Sequence, residues 1–233
     1  VDDSSLDASV TVVATEPFDD DNWETAWKEF FEPLLLSPRI RVGPPWESFE
    51  APDSDASTEA AKIVLDPGMA FGTGSHETTR LTASIMDEWL ADRPTSPDIL
   101  DVGCGSGILS IAAIKLGARK ATGIDIETAA IEAAHQNTAA NDVADATHFS
   151  TTDVAHLDES FELVVANILS RLLAEIREDL LKVVRPGGTL ILSGITFDDL
   201  DEFRSAFVPD DWTIAETRKR GDWAALRLTA PVA

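Results

Sequence analysis

The run Asp101-Val102-Gly103-Cys104-Gly105-Ser106-Gly107 constrains this chain more than any other feature, because it separates two apolar stretches of different character. Before it, the segment ILDVG (99–103) has the length and composition of a short buried strand; after it, SGILSIAAIKLG has the length of a helix and closes at Gly117. Glycines at such a junction let the backbone turn sharply and approach a ligand that a Cβ would exclude. The helix that follows aims its free N–H groups at the loop. The same alternation continues downstream: KATGIDI is a strand, ETAAIEAAHQNTAAN a helix, THFS a weak strand and FELVVANI (161–168) a strong one. SRLLAEIREDLLKVV reads as one long amphipathic helix ending at Pro186-Gly187-Gly188, and TLILSGI as the next strand. A helix is expected near 197–207, and TIAETRKR and AALRLT, joined by Gly221-Asp222, carry a hairpin signal. Strands alternating with helices imply a parallel, doubly wound sheet, here with an antiparallel pair at its end.

Spacing within the glycine run narrows the ligand. The dinucleotide fingerprint is G-x-G-x-x-G, whereas this loop is G-x-G-x-G with Ile108 where the third glycine of that fingerprint would stand. The tighter spacing suits a ligand without a pyrophosphate, S-adenosylmethionine; the competing reading is a glycine turn serving packing alone. Asp125 ends the second strand, where doubly wound folds place an acid for ribose hydroxyls. A carboxylate there can accept from both hydroxyls with charge-assisted strength; otherwise it serves the N-terminus of the next helix. Asp153, after the third strand, is a candidate for the adenine amino group or merely a loop acid. Asn167 ends the fourth strand, where an amide could accept from an amine or orient the cofactor, and a capped buried Asn is the alternative. The loop LDPGMAFGTGSHETTR (65–80) brings an aromatic, hydroxyls and backbone donors close upstream of the cofactor strand. Its His76 is read as a structural histidine bonding the loop backbone in preference to a general base. Its Gly-Thr-Gly lacks the Lys-Ser/Thr ending of a phosphate-binding loop.

Residues 1–60 differ from the rest and are read as an N-terminal remnant plus a Trp-rich linker, with 61–233 as the catalytic domain. WETAWKEFF has helical spacing of Trp23, Trp27, Phe30 and Phe31; RIRVG (39–43) reads as a short strand, EAPDSDASTEA (50–60) as a surface linker and KIVLD as a strand. The net charge is −24, from 42 acids against 18 bases, which argues against a nucleic-acid surface because a polyanion would be repelled. It is read as a solubility adaptation, to high salt for example, and as attraction for a basic protein substrate. Apolar runs fall short of the roughly 20 residues of a membrane span. With one cysteine, no intrachain disulfide can form, and the histidines show no ligand spacing. A cytoplasmic protein without membrane or metal is expected.

Taken together, LDPGMAFGTGSHETTRL, ILDVGCGSGILSIAAIKLGARKATGIDI and VVANIL…RPGGTLILSGI resemble the PrmA family, which methylates large-subunit ribosomal protein eleven. The resemblance runs from about residue 20 to the end, and AFGTGxHxTT is its most specific piece. It implies an α/β class I Rossmann-like S-adenosylmethionine-dependent methyltransferase with a mostly parallel seven-stranded sheet and a C-terminal antiparallel hairpin. By the same resemblance the cofactor should touch Thr79, Gly103, Asp125 and Asn167, while Phe71, Gly105 and Ile126 line the pocket. The expected activity is methyl transfer to lysine or other amino groups of that basic ribosomal protein, with no direct nucleic-acid partner. Other acceptors (another protein or a small-molecule amine) and a cofactor-binding module without turnover are the alternatives. Family members carry a separate N-terminal recognition domain ahead of the Trp-rich segment; with about 20 residues ahead of it here, the full domain is expected to be missing. His76-Glu77 replaces the usual His-Pro.

Overall fold

A computed structural model describes residues 31–53, 60–66 and 74–232. By compactness the chain divides into Val1–Phe31 and Glu32–Ala233, and every element below belongs to the second unit. The expected WETAWKEFF helix lies outside the described residues.

The central sheet has seven strands: β4 (Asp98–Val102), β5 (Lys120–Ile124), β6 (Thr147–Ser150), β7 (Phe161–Asn167), β8 (Val184–Thr196), β9 (Thr213–Arg220) and β10 (Trp223–Thr229). Their spatial order is β6-β5-β4-β7-β8-β10-β9. The first five in that order run parallel, and β10 lies antiparallel to both β8 and β9. Strand order reverses direction beside β4, so a crevice opens between the carboxyl ends of β4 and β7, where open α/β sheets bind ligands.

Burial explains the strand sequences. Leu163, Val165 and Ile191 enter one apolar core while Val164, Ala166, Leu190 and Leu192 enter the other. The period of two therefore feeds both faces, as a parallel sheet covered on each side requires. Helices α1 (Glu77–Ala91) and α2 (Ile108–Lys115) contribute to the first core. Helices α4 (Ser170–Glu175), α5 (Arg177–Lys182) and α6 (Leu200–Phe207) contribute to the second. Helix α3 (Thr128–Ala140) packs Ile131 and Ala134 on Cys104 and Phe149.

Three features depart from the sequence reading. The long helix expected over SRLLAEIREDLLKVV is two short ones, α4 and α5, interrupted at Ile176. At that break the Arg177 Nε donates to the Phe207 carbonyl at 2.6 Å, tying the chain across to α6. Pro186-Gly187-Gly188 does not stop a helix but lies inside β8. Pairing with β7 jumps from Phe161↔Val184 to Leu163↔Thr189, so the extra residues bulge out and the missing proline N–H costs no ladder bond. Finally, the KIVLD strand does not join the main sheet. β3 (Ala61–Val64) pairs in parallel with β2 (Ile40–Gly43), which pairs antiparallel with β1 (Leu34–Ser37). This small sheet straddles the domain boundary expected at residue 60. Arg39 fastens it to α1 through Asp87, with backbone N to Oδ2 at 3.0 Å and Nε to Oδ1 at 2.5 Å. No helix among the described residues is long and apolar enough to cross a membrane.

Candidate functional site

The crevice is built on the turn after β4. Gly103, Gly105 and Gly107 all take positive φ (72°, 51° and 77°), a region costly for any residue with a Cβ. The Gly103 and Cys104 amides both donate to the Ile124 carbonyl, at 2.8 and 3.1 Å, which pins the turn to the end of β5. From α3, the Asn137 side-chain amide holds the Ser106 carbonyl at 2.9 Å. Gly107 stands at the N-cap of α2 and has no side chain to offer it. Asp101 does that work from within the sheet: its Oδ2 accepts from the Ser110 amide at 3.1 Å and from the Ser110 hydroxyl at 2.8 Å. Sequence reasoning quoted Asp101 but gave it no role; the signal was an acid two residues before the first glycine, with a serine in the first turn of the helix.

Asp101 is wholly buried and its Oδ1 has no hydrogen-bond partner among the described residues. Burial raises its pKa to about 6, against the two bonds from Ser110, and the neighbouring Asp125 charge adds to the rise. A buried acid with a raised pKa contributes stability below its unfolded value and loses it as pH climbs through about 6. Asp101→Asn should therefore raise the melting temperature of the ligand-free protein at pH 8, by the equivalent of about 1–3 kcal/mol. The gain should shrink to nothing by pH 4, and melting curves across that range check it. A cationic ligand above the loop would favour the charged carboxylate, so the buried acid suits a sulfonium cofactor. Burial also pushes the Cys104 thiol up, with Asp101 and Asp125 adding to it, which keeps it protonated and unreactive at neutral pH.

Asp125 lies across the loop, just past β5. Its Oδ2 accepts from the Gly105 amide at 2.9 Å and its Oδ1 from the Glu127 amide at 3.0 Å. The reading as a partner for the next helix is met by the Glu127 bond, and the same side chain also steadies the glycine turn. A carboxylate offers about four lone-pair positions, so two such bonds leave it able to accept from a diol. Ile126 beside it is 90% exposed, an apolar side chain held in solvent at the mouth of the crevice. Asp153 caps the short turn Val154–His156, its Oδ1 accepting from the Ala155 amide at 2.9 Å.

The opposite wall comes from β7 and α1. Asn167 ends β7 and its Nδ2 donates to the hydroxyl of Thr79, buried in the first turn of α1, at 3.3 Å. His76 caps that helix: its Nδ1 accepts from the Thr78 amide at 3.3 Å and shares a 2.8 Å bond with the Thr78 hydroxyl. Its ring sits edge-on to Trp223, with centroids 5.0 Å apart, so His76 serves the backbone, as expected from the loop sequence. Next to Asn167, Ile168 packs between two glycines that leave no room for a side chain. A Cβ on Gly103 would run into the Ile168 side chain, and one on Gly194 (φ +86°) into the Ile168 carbonyl. Gly194 was not singled out from sequence, because its crowding arises only when β8 lies beside β7. Of the expected residues, Gly103, Gly105 and Asp125 meet on one side and Thr79 and Asn167 on the other, with Ile168 bridging them. Phe71 lies outside the described residues.

The chain matches the family model described as ribosomal protein L11 methyltransferase (PrmA) over residues 1–231. It is 38% identical over 208 residues to the ribosomal protein L11 methyltransferase of Pelobacter propionicus, covering 88% of this chain and 66% of that protein. It is 40% identical over 211 residues to the one of Geobacter metallireducens, covering 91% and 67%. The chain thus spans about two thirds of the length of the curated relatives it matches. Among solved structures, the ribosomal protein L11 methylase of Lactobacillus delbrueckii subsp. bulgaricus superposes with a TM-score of 0.75 at 32% identity, covering 85% of this chain and 98% of that one. On sequence and fold alike, the chain belongs to the ribosomal protein L11 methyltransferase (PrmA) family.

Proposed function

We propose that this chain methylates amino groups of ribosomal protein L11 in the cytoplasm, with S-adenosylmethionine as methyl donor. The observation that carries the reading is the hydrogen bond from the Gly105 amide to Asp125, which makes one ligand cradle of two motifs far apart in sequence. The family's name supports the acceptor. In this reading the backbone of Gly103 and Gly105 lies against the adenosyl and methionine parts, Asp125 takes the ribose hydroxyls and Ile126 covers the adenine. The catalytic unit is the α/β domain, with the Trp-rich segment ahead of it.

Bound there, the cofactor supplies an electrophilic methyl: the amine lone pair forms the N–C bond, the C–S bond breaks, and its electron pair stays on the sulfur of S-adenosylhomocysteine. The chain's own task is to deliver a neutral amine in line. A lysine ammonium, with pKa about 10.4, must first lose its proton, and a desolvated crevice lowers that pKa. Asn167, held by Thr79, turns its side-chain oxygen toward the acceptor and orients the amine N–H. Alignment and exclusion of water then provide the rate.

Removing the amide should separate binding from chemistry. Asn167→Ala is expected to lower kcat about 100-fold, within the range of lost positioning interactions. Thr79→Val, which removes only the supporting hydroxyl, should cost less, roughly tenfold. Mass-spectrometric methylation of purified ribosomal protein L11 by the wild-type chain tests the function itself, and no mass gain on that protein would refute it.

A further inference from the structure

With 42 acids against 18 bases, basic side chains are expected to sit against acids, and most arginines here do. Of the described arginines, Arg80, Arg171 and Arg220 make neither a hydrogen bond, an ion pair nor a ring contact with their side chains among the described residues. All three stand at the carboxyl edge of the sheet: Arg80 in the first turn of α1, Arg171 at the start of α4 just after Asn167, and Arg220 at the end of β9. The edge where chemistry is proposed therefore holds the three arginines unpaired among the described residues of a chain whose net charge is −24.

Two of them are brought side by side. Pairing of Trp223 with Thr196 sets the turn between β9 and β10 against the end of β8, and the Phe197 amide donates to the Asp222 carbonyl at 2.8 Å. On the helix side, a Cβ on Gly221 would lie 3.4 Å from Glu77 Oε1, and Trp223 meets the His76 ring. The turn is thus wedged against the first turn of α1, which puts Arg220 near Arg80. Burial and the Arg220 charge both lower the Arg80 pKa, with Glu77 opposing, and Arg80 Nε is buried without a partner. Lys219, one residue earlier on β9, points to the other face and lays its Nζ 3.6 Å from the centre of the partly exposed Phe197 ring. Two guanidiniums close enough to repel, with Glu77 nearby but no acid in ion-pair contact with either, is a costly arrangement on its own. It becomes favourable when a planar anion takes both forks, and a carboxylate is the anion that arginine matches in two-point geometry.

We infer that Arg80 and Arg220 form an anion site that receives a carboxylate side chain of the acceptor protein and so sets which amine reaches Asn167. This rests on the methyl-transfer reading above. A carboxylate also occurs on the methionine part of the cofactor, and the two sources predict different kinetics.

The test uses the full chain with purified ribosomal protein L11. In Arg80→Gln/Arg220→Gln, KM for the acceptor should rise at least about tenfold, the loss of one charge-assisted contact or more, while kcat stays within about twofold. Affinity for S-adenosylmethionine, read by calorimetry, should not change. The wild-type KM should also climb with KCl more steeply than that of the variant. If cofactor affinity falls in step, the carboxylate is the cofactor's and the inference is overturned. An unchanged KM overturns it as well. Should the double variant lose its cooperative melt, Arg220→Glu decides alone: this exposed position at a strand end must then raise KM with the melting temperature kept. Failure of the wild-type chain to methylate the acceptor would instead bring down the functional reading together with this one.

Discussion

Asp125→Ala should abolish most of the affinity for S-adenosylmethionine, weakening it about 100-fold or more in calorimetry. Two charge-assisted bonds to a ribose diol are worth about 3 kcal/mol together, and each 1.4 kcal/mol is a factor of ten. The substitution also releases the Gly105 and Glu127 amides, so the glycine turn loses its latch as well as its ligand contact. Asp125→Asn separates these effects. Its side-chain oxygen can still accept from one amide, but its NH2 group must face the other amide donor and the charge is gone. The asparagine variant should therefore bind more weakly than wild type and better than the alanine variant. If alanine leaves the affinity as it was, the cradle is not where the adenosyl group sits.

Gly194→Ala should produce the largest loss of stability, about 3–5 kcal/mol, from a left-handed backbone that disfavours a Cβ and from collision with the Ile168 carbonyl. For a chain of this size that is a drop of about 10 °C in Tm. Activity should fall further than stability alone explains, because the displaced carbonyl belongs to the residue after Asn167. Thermal melts read the first effect, and turnover measured well below the melt reads the second. A melting temperature within 2 °C of wild type, on the scale of roughly 2–4 °C per kcal/mol, would show that β8 gives way and that the packing around Ile168 is soft.

Much of the fold and of the cradle is legible in the sequence because the relevant signals are local. The glycine turn, the acid ending β5 and the amide ending β7 are each fixed by spacing within one strand–loop–helix unit. The hairpin is announced by Gly221-Asp222, and Trp223 does pair with Arg220 across it. What stayed hidden depends on distant pairing. Ala61–Val64 has the same pattern as a strand of the main sheet, and only its partner, Ile40–Gly43, assigns it to the small one. The bulge at Pro186 arises from the register of β7, to which the local helix signal is blind. Asp101 looks like any motif acid until its burial and its bonds to Ser110 show that it caps α2. The split of the long helix at Ile176 has no local sequence signal, and the Arg177 contact beside it spans 30 residues.

The Arg39–Asp87 pair bears on how the enzyme can be trimmed. Asp87 is 2% exposed and sits on the same helix whose first turn carries Thr79. Opposite it, Trp89 Nε1 donates to the Thr189 hydroxyl at 2.9 Å, so α1 is braced on both flanks like a beam between two walls. A fragment cut at residue 60 would lose Arg39 together with Leu36, Ile40 and Val42, uncovering both Asp87 and the apolar flank of α1. The beam would then lose one wall, and the hydroxyl at its tip would drift from Asn167. Minimal active fragments should start ahead of Leu34.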